Sequence, residues 1–486
     1  MKYYFFAKLT LTLTASLLLA ACNSSDSSGG GSADSDGSGS DSATVSAFSS
    51  KQYFIGNDGS SGNQDDPSQL WLTDGTGPGT ELVKDLFPGD DANLQSLTLV
   101  GNKLFFTADD GTGEQLWVTD GTTANTIRLT SNNLKNGSAT QLTALGNTLY
   151  FRGSGTDESG PRLWRSDGTA AGTELVSASV PQKDGIRFLT AFNGYLYFRG
   201  DNGTDGRELW RSDGTELNTQ MLVDIPNTGL GGSMFGCVDG LVPLGDSLYF
   251  AANANEGEDE CALWKTDGSI NNADKVKKIS DSSNTGPVNL VVSGNQLFFL
   301  SGGFSDQNAQ IWVSDGTANG TVVVKESDAN ERIWLDPELP LVATSDSVYF
   351  QLDNLTIGST NGDLELWYSN GTTTAKVQAM DDSVTGDGVA MATVGNYLYY
   401  IADRPIEEGD FLSDNKGLWR TSGASRELVH SFSGANGGEP LLPVGDGQTL
   451  LFYVTGEDLW RTNGTQAGTV FVKDICPGFC KGFIGF

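Results

Sequence analysis

The chain has 486 residues, and its 29 Lys and Arg against 61 Asp and Glu give a formal net charge of −32. This charge argues against nucleic acid or an anionic lipid surface as the main partner, because binding a polyanion requires basic patches. His430 is the one histidine, which excludes a metal site with several histidine ligands, while 37% hydrophobic residues and 63 glycines predict a folded, turn-rich, all-β chain.

The first residues of the chain have the pattern of an export signal. Lys2 and Lys8 provide a basic flank, and an apolar stretch follows as far as Leu19. The stretch is too short to cross a bilayer as a helix, and it ends in small residues. We therefore expect residues 1–21 to be removed on export.

The end of that segment, Leu19-Ala20-Ala21-Cys22, resembles the lipobox of bacterial lipoproteins. The resemblance implies that cleavage makes Cys22 the first residue and that its thiol is lipidated. In lipoproteins of this kind, a residue other than Asp after the cysteine, here Asn23, implies sorting to the outer membrane, facing the periplasm or the cell surface. The alternative is an ordinary secretory signal whose cleavage site happens to contain a cysteine.

The next segment, residues 22–42, is dominated by Gly, Ser and Asp. Such a composition has too little apolar surface to pack, so it predicts a flexible tether. A regular pattern begins at residue 43 and continues to the end of the chain. The sequence therefore divides into a signal peptide at 1–21, a tether at 22–42 and one repeat domain at 43–486.

A tryptophan preceded by Leu or Ile marks nine copies of one repeat. The nine tryptophans are Trp71, Trp117, Trp164, Trp210, Trp264, Trp312, Trp367, Trp419 and Trp460. Their separations range from 41 to 55 residues. A period of this length is typical of propellers, since a four-stranded blade needs about 40–50 residues.

One copy shows the four strands of a blade. Residues 142–145, 148–151, 162–165 and 173–176 are four short predicted strands, separated by Gly-Asn, a polar loop and a DGT turn. The second run contains Tyr150-Phe151, and every other copy has a similar aromatic pair. Rings on both faces of a strand indicate that both faces are covered, as when each blade lies between two others. We therefore predict an all-β fold, a single closed propeller of nine four-stranded blades, with eight blades and one displaced copy as the alternative.

The segment ELWRSDGT at residues 208–215 resembles the bacterial ELWxxDGT repeat, and the resemblance extends over residues 43–486. It implies a propeller-like fold in secreted or envelope proteins, and it implies no catalytic residue. Three copies depart from the motif: Asn370 and Asn463 replace the turn Asp, and the eighth copy has Thr421-Ser422-Gly423 instead. We interpret the repeated Asp as a turn former that caps its own backbone, and the repeated Trp as packing between blades.

The loops between the second and third strands vary in length, whereas the Gly-Asn and DGT turns do not. In an up-and-down blade the variable loops and the connections between blades emerge on one face, here called the variable face, and the constant turns emerge on the other, the regular face. Function in propellers lies on loops held by the ring, so the variable face is the predicted binding surface. Its candidate residues are Asp109, Asp110, Asp201, Asp205, Glu256, Glu258, Asp259 and Glu260.

Carboxylates in glycine-rich loops are also what Ca²⁺ prefers. Asp201 and Asp205 are the calcium candidates, because residues 201–206 begin like an EF-hand loop, although the closing Glu is missing. We expect solvated turns rather than a calcium site at these loops, and no other cofactor.

Four cysteines follow Cys22, and in an exported chain an even number predicts two disulfides. Of the three pairings, we favour Cys237 with Cys261 and Cys476 with Cys480. The first pair is placed on the variable face, and the second closes a small loop after the last strand. A metal or redox site at Cys476 and Cys480 is the alternative.

The sequence contains no nucleophile elbow, P-loop, dinucleotide fingerprint or HExxH motif. We therefore predict a lipid-anchored envelope propeller that is not an enzyme and that binds a protein or glycan partner, with no nucleic acid, through its acidic variable face. Two alternatives stay open: a propeller-type polysaccharide hydrolase or lyase, which needs only a pair of carboxylates, and a calcium-dependent adhesive or structural protein.

Overall fold

The computed structural model describes residues 51–474 of the chain with several gaps, and every described secondary-structure element is a β-strand. The gaps are residues 58–67, 89, 132–133, 136, 157–159, 177–185, 202–206, 224–239, 254–259, 282–285, 303–308, 328–330, 334–340, 355–362, 378–390, 404–415, 432–440, 445–446 and 455–457. Within the described residues, no helix is long and apolar enough to cross a membrane.

The strands form nine antiparallel sheets, one for each sequence repeat. Blades 1 to 3 comprise β1 (Gln52–Asn57), β2 (Ser68–Thr73), β3 (Glu81–Lys84); β4 (Gln95–Val100), β5 (Lys103–Asp109), β6 (Glu114–Thr119), β7 (Ile127–Arg128); and β8 (Thr140–Leu145), β9 (Thr148–Ser154), β10 (Pro161–Ser166), β11 (Glu174–Leu175). Blades 4 to 6 comprise β12 (Arg187–Phe192), β13 (Tyr195–Asp201), β14 (Arg207–Ser212), β15 (Gln220–Val223); β16 (Leu241–Leu244), β17 (Ser247–Asn253), β18 (Cys261–Thr266), β19 (Asp274–Ser280); and β20 (Val288–Ser293), β21 (Gln296–Ser301), β22 (Gln310–Ser314), β23 (Val322–Glu326). Blades 7 to 9 comprise β24 (Glu331–Ile333), β25 (Val342–Ala343), β26 (Val348–Asn354), β27 (Asp363–Ser369), β28 (Thr374–Lys376); β29 (Met391–Val394), β30 (Tyr397–Asp403), β31 (Lys416–Ser422), β32 (Ser425–Ser431); and β33 (Leu441–Pro443), β34 (Leu450–Val454), β35 (Asp458–Thr462), β36 (Val470–Asp474).

Strand order within each sheet follows the sequence, so each repeat forms one up-and-down blade. Blade 7 departs slightly, because its innermost strand consists of two pieces, β24 and β25, that both pair with β26. In blade 1 the sheet is described from its second strand onward, and the innermost strand expected at Val45 to Phe48 lies outside the described residues. The hairpin turns have the predicted chemistry: Asn193 and Gly194 both have positive φ, as a type I′ turn requires.

The two central strands of each blade carry apolar residues on both faces, as predicted. In β5, the run from Leu104 to Ala108 is buried throughout, and in β9 Tyr150 and Phe151 are 6% and 0% exposed. Residues of neighbouring blades share each apolar cluster. Trp210 of blade 4, for example, packs with Tyr150 and Leu163 of blade 3. Burial of this surface between blades is the main force that holds the ring together.

The ring closes by direct packing of blade 9 on blade 1. Phe54 and Trp71 share a buried cluster with Leu459 and Val472. The innermost strands of successive blades also lie side by side around the axis, for example β8 beside β12 and β12 beside β16. The fold is thus a nine-bladed β-propeller. The prediction of nine blades is confirmed, and the alternative of eight blades with one displaced copy is wrong, because every repeat has its own blade and both ends meet.

Candidate functional site

The DGT turns of the regular face share one hydrogen-bond pattern. In blade 6, Asp315 Oδ1 accepts from both the backbone N and the Oγ1 of Thr317, at 2.9 and 2.7 Å. The turn ends at Thr321, whose Oγ1 lies 2.7 Å from Ser314 Oγ and 2.6 Å from the Thr317 carbonyl oxygen. The same contacts recur in blades 1 to 4. Prediction of the repeated Asp as a turn former is therefore confirmed.

These bonds also explain which residues replace the turn Asp. The Thr317 hydroxyl lowers the pKa of Asp315, and the equivalent threonines lower the pKa of Asp74, Asp120 and Asp167. An Asn side-chain oxygen accepts the same bonds. Asn463 Oδ1 is 3.1 Å from the Thr465 nitrogen and 2.7 Å from its Oγ1. The turn needs an acceptor at this position, and either carboxylate or amide supplies it.

The glycine of most of these turns is also a contact point between blades. Arg211 of blade 4 donates from Nη1 to the carbonyl of Gly268 in blade 5 at 2.7 Å, and Lys265 donates from Nζ to Gly316 in blade 6 at 3.0 Å. A tyrosine hydroxyl of the preceding blade lies against the same glycine. In blade 8 the contact is a hydrogen bond, from the Gly423 nitrogen to Tyr349 Oη at 2.8 Å. Burial raises the pKa of Tyr349 to about 12, so this hydroxyl stays protonated.

A second set of contacts joins the outermost strand of one blade to the tryptophan of the next. Lys473 of blade 9 lies 5.7 Å from the centroid of the Trp71 ring in blade 1 and donates to the Thr80 carbonyl at 2.5 Å. The same position in blade 8 is occupied by His430, whose ring lies 5.3 Å from that of Trp460. Burial lowers the pKa of His430, so its imidazole is neutral near pH 7. These contacts confirm the prediction that the repeated Trp packs between blades.

Polar groups of the regular face are thus committed to turns and to contacts between blades. The same chemistry is repeated around the ring, which leaves the regular face with little that distinguishes one sector from another. The opposite face carries the connections between second and third strands and between blades. Its sequence differs in every blade, so we take it as the candidate functional surface.

Asp109 is the last residue of β5, and Asp110 begins the short loop that leads to β6. Asp109 Oδ1 accepts from the backbone nitrogens of Gly111 and Gly113, both at 2.8 Å. Asp110 forms an ion pair with Arg128 of the same blade, with 3.0 Å between Oδ2 and Nη1. Both carboxylates therefore order their own loop, and Arg128 compensates one of them.

Two further candidates are tied to strands. Asp201 is the last residue of β13 and is 7% exposed, so it belongs to the blade rather than to the loop that follows. Glu260, just before β18, forms an ion pair with Lys278 of the same blade. The other predicted acidic residues, Asp205, Glu256, Glu258 and Asp259, lie outside the described residues, as does Cys22.

Over the part of the chain that the structure describes, no three His, Cys, Asp or Glu side chains come together in a way that would hold a metal ion. Of the calcium candidates, Asp201 lies at the end of β13 and Asp205 lies outside that part. Cys261 is disulfide-bonded and begins β18. Its predicted partner Cys237, and the predicted pair Cys476 and Cys480, lie in undescribed segments.

This chain has only distant similarity to the known proteins described below. No protein-family model and no curated protein matches this sequence. Among solved structures, the chain is similar to puromycin hydrolase, with 9% identity and a TM-score of 0.39 over 74% of this chain and 58% of that one. It is also similar to a prolyl endopeptidase, with 11% identity and a TM-score of 0.40 over 76% of this chain and 54% of that one. TolB from Acinetobacter baumannii is a third, with 13% identity and a TM-score of 0.29 over 58% of this chain and 66% of that one.

This chain spans little more than half the length of the first two of these proteins. Both are enzymes by their names, and this corrects one expectation from the sequence. The prediction that the chain is not an enzyme is wrong as an inference from missing motifs, because propeller chains that resemble this one occur within a hydrolase and an endopeptidase. At such low identity the likeness extends to the fold alone, and no activity is transferred to this chain.

Sequence reasoning missed the residues that join the blades. The Arg, Lys and Tyr side chains that reach the turn glycines come from the neighbouring repeat, 49 to 74 positions away, as with Arg211 and Gly268. A signal was present, since a basic residue directly follows Trp164, Trp210 and Trp264. The role of this basic residue becomes evident only when the fold places the turn of the neighbouring blade beside it.

Proposed function

We propose that this chain is a lipid-anchored envelope propeller that presents its variable face to a protein or glycan partner. The observation that supports the proposal is a difference between the two faces of the ring. Turn residues such as Asp315 and Gly268 are engaged within the ring, whereas the loops of the other face differ in every blade. A partner that needs a distinctive surface finds one only on the variable face.

The anchor is the first part of the proposal to test. If Cys22 is lipidated, Cys22→Ser should move the protein from the membrane fraction to the soluble fraction of the envelope. The substitution removes the thiol that carries the lipid, and the lipid is the proposed membrane anchor. Fractionation of cells expressing each form, followed by immunoblotting, measures this. Ala21→Gly, which leaves the cysteine in place, is the control. A Cys22→Ser protein that still fractionates with membranes would refute the anchor.

Loop replacement tests the binding surface. We expect that exchanging residues 202–206 and 254–259 for Gly/Ser segments of equal length leaves the thermal midpoint almost unchanged, because these segments contain no large apolar residue. Asp201 must be kept, since its buried side chain belongs to β13. The replacement should reduce capture of the partner at least tenfold when envelope extract is passed over the immobilised protein, with and without a calcium chelator.

The matched control alters the regular face. Leu217 is 90% exposed at the tip of the DGT turn of blade 4, so Leu217→Ser changes that face without touching the core. Capture should be unaffected. If capture survives the loop replacement and is lost in Leu217→Ser, the partner binds the regular face and the proposal is wrong.

A further inference from the structure

The contact between blade 9 and blade 1, here called the seam, differs from the other contacts of the ring. At the other contacts the chain itself passes from the outermost strand of one blade to the innermost strand of the next. The seam instead joins blade 1, whose β3 ends at residue 84, to blade 9, whose β33 begins at residue 441. Each sheet of the described chain comes from one repeat, so over these residues no exchanged strand crosses the seam.

The absence of a direct connection changes what separation of the blades costs. At the contact between blades 5 and 6, residues 281–287 connect β19 with β20 and keep the two blades close even when their surfaces part. The polypeptide connects blades 9 and 1 only through the seven blades between them. Because the entropy of closing a loop rises with its length, separation at the seam gains more conformational freedom than separation elsewhere.

One polar contact between blades has no counterpart at the seam. Tyr249 of blade 5 places its hydroxyl against Gly316 of the next blade, and other tyrosines do the same around the ring. Where the hydroxyl is missing in blades 2 and 6, Lys103 or Gln296 lies against the glycine instead. In blade 9 the residue at the tyrosine position is Leu451, which has no hydroxyl to offer.

Lys473 provides a polar contact that the seam does have. Its Nζ donates to the Thr80 carbonyl oxygen at 2.5 Å and lies 5.7 Å from the centroid of the Trp71 ring. A desolvated hydrogen bond from a charged donor is stronger than one between neutral groups, and the ring adds a cation–π attraction. Lys473 is therefore the described side chain best placed to stabilise the closed seam.

An interior contact contains a matched copy of this arrangement. Lys277 of blade 5 donates to the Thr321 carbonyl oxygen of blade 6 at 2.6 Å and lies 5.7 Å from the centroid of the Trp312 ring. The two lysines occupy the same position of the outermost strand, opposite the Leu that precedes the repeat tryptophan. They differ in whether a short connection spans the contact that they stabilise.

Gly77, in the DGT turn of blade 1, brings the backbones of the two blades close together. A Cβ on this residue would lie 2.8 Å from the carbonyl oxygen of Val472 in blade 9, well inside ordinary van der Waals contact. Alanine is compatible with this position of the turn, since Ala170 and Ala318 occupy it in blades 3 and 6. A side chain at residue 77 is therefore excluded by the seam and not by the turn.

We propose that the ring opens reversibly at the seam between blades 9 and 1 while its other contacts stay closed, and that Lys473 stabilises the closed form. Opening exposes Phe54, Trp71 and Val472, which the closed seam buries, and gives sideways access to the axis of the ring. Such sub-global opening requires less free energy than unfolding of the whole domain. The device is independent of the partner that the variable face binds.

Hydrogen–deuterium exchange of the full chain at pH 7, followed by mass spectrometry, tests the opening. We expect the protection factors of β3 and β36, on the two sides of the seam, to be at least tenfold lower than those of β19 and β23. These four strands are all outermost strands, so fraying at the edge of a blade affects them alike. Equal protection of the two pairs in the original chain would overturn the proposal without any variant.

Two lysine variants test the role of Lys473. Lys473→Met keeps the apolar stem and removes the charge, and it should lower protection in β3 and β36 at least a further tenfold while β15 of blade 4 is unchanged. Lys277→Met removes the same contacts at the interior position, and it should lower protection in β19 and β23 less than threefold, because residues 281–287 still hold the blades together. Equal effects of the two variants, or a uniform loss of protection in every blade, would contradict a seam that opens by itself.

Gly77→Ala tests the seam from its other side. The added methyl group should force blades 9 and 1 apart and lower protection in β3 and β36 at least tenfold, with β15 again unchanged. Ala318→Gly is the control at the same position of the turn in blade 6, and it should change protection in β3 and β36 less than twofold. Unchanged protection at the seam in Gly77→Ala would show that the two backbones do not meet there, and the proposal would be wrong.

Discussion

Replacing Trp210 with alanine should lower the free energy of unfolding by about 3–5 kcal/mol, the usual range for removing a large buried aromatic side chain. The side chain is 5% exposed and lies between blades 3 and 4, in the same cluster as Tyr150 and Leu163. Both blades lose contacts when it is removed, and a ring has no free end that moves to close the gap. We therefore expect the loss in free energy of unfolding to lie in the upper part of this range, because the cavity left by the side chain stays open.

Urea unfolding followed by far-ultraviolet circular dichroism measures this change through the midpoint and the slope of the transition. Leu217→Ala, on the same blade, is the control, because that side chain is 90% exposed and its truncation should cost less than about 0.5 kcal/mol. Trp210→Phe should fall between them, since a ring still fills most of the site. If Trp210→Ala unfolds at the same urea concentration as the control, the tryptophan does not hold blades together.

The fold could be predicted from the sequence because each structural signal occurs nine times. One Tyr-Phe pair such as Tyr150-Phe151 is compatible with several folds. A similar pair before each of nine tryptophans requires a strand with both faces covered. The role of the turn Asp could also be predicted, because its hydrogen bonds are local: Asp315 contacts Thr317, two residues away.

The candidate site was less predictable, because its contacts are long-range and unrepeated. Arg211 and Gly268 belong to neighbouring blades, and nothing in the separate repeats indicates that they meet. The exact end of a strand is also hard to predict from the sequence, as Asp201 shows. A position one residue beyond a regular strand and the last position of that strand look alike in sequence, but the first is solvated and Asp201 is buried. Closure at Trp71 and Lys473 likewise depends on residues at opposite ends of the chain.

Gly316→Ala should destabilise the ring by more than the conformational strain of the substitution alone. Gly316 has a φ of +86°, and an alanine in this region costs about 1–2 kcal/mol. A Cβ here would also collide with the Tyr249 hydroxyl of blade 5. Forcing an extra group into such a packed contact adds about 1–3 kcal/mol. Gly194→Ala provides the matched control, because Gly194 has a φ of +79° and open space where its Cβ would lie.

A double-mutant cycle separates the collision from the strain. Tyr249→Phe removes the hydroxyl, so Gly316→Ala should cost less in that background than in the original chain, by about 0.5–3 kcal/mol. The chain already contains the substitution elsewhere: Phe298 occupies this position in blade 6, and there Gln296 lies against the turn glycine Gly371 instead. Urea unfolding of the four proteins of the cycle and of Gly194→Ala gives the values. If Gly316→Ala and Gly194→Ala lower the free energy of unfolding equally, and Tyr249→Phe does not change the effect of Gly316→Ala, the blades are not in contact through this turn. The contact between a tyrosine hydroxyl and the turn glycine of the next blade would then be wrong.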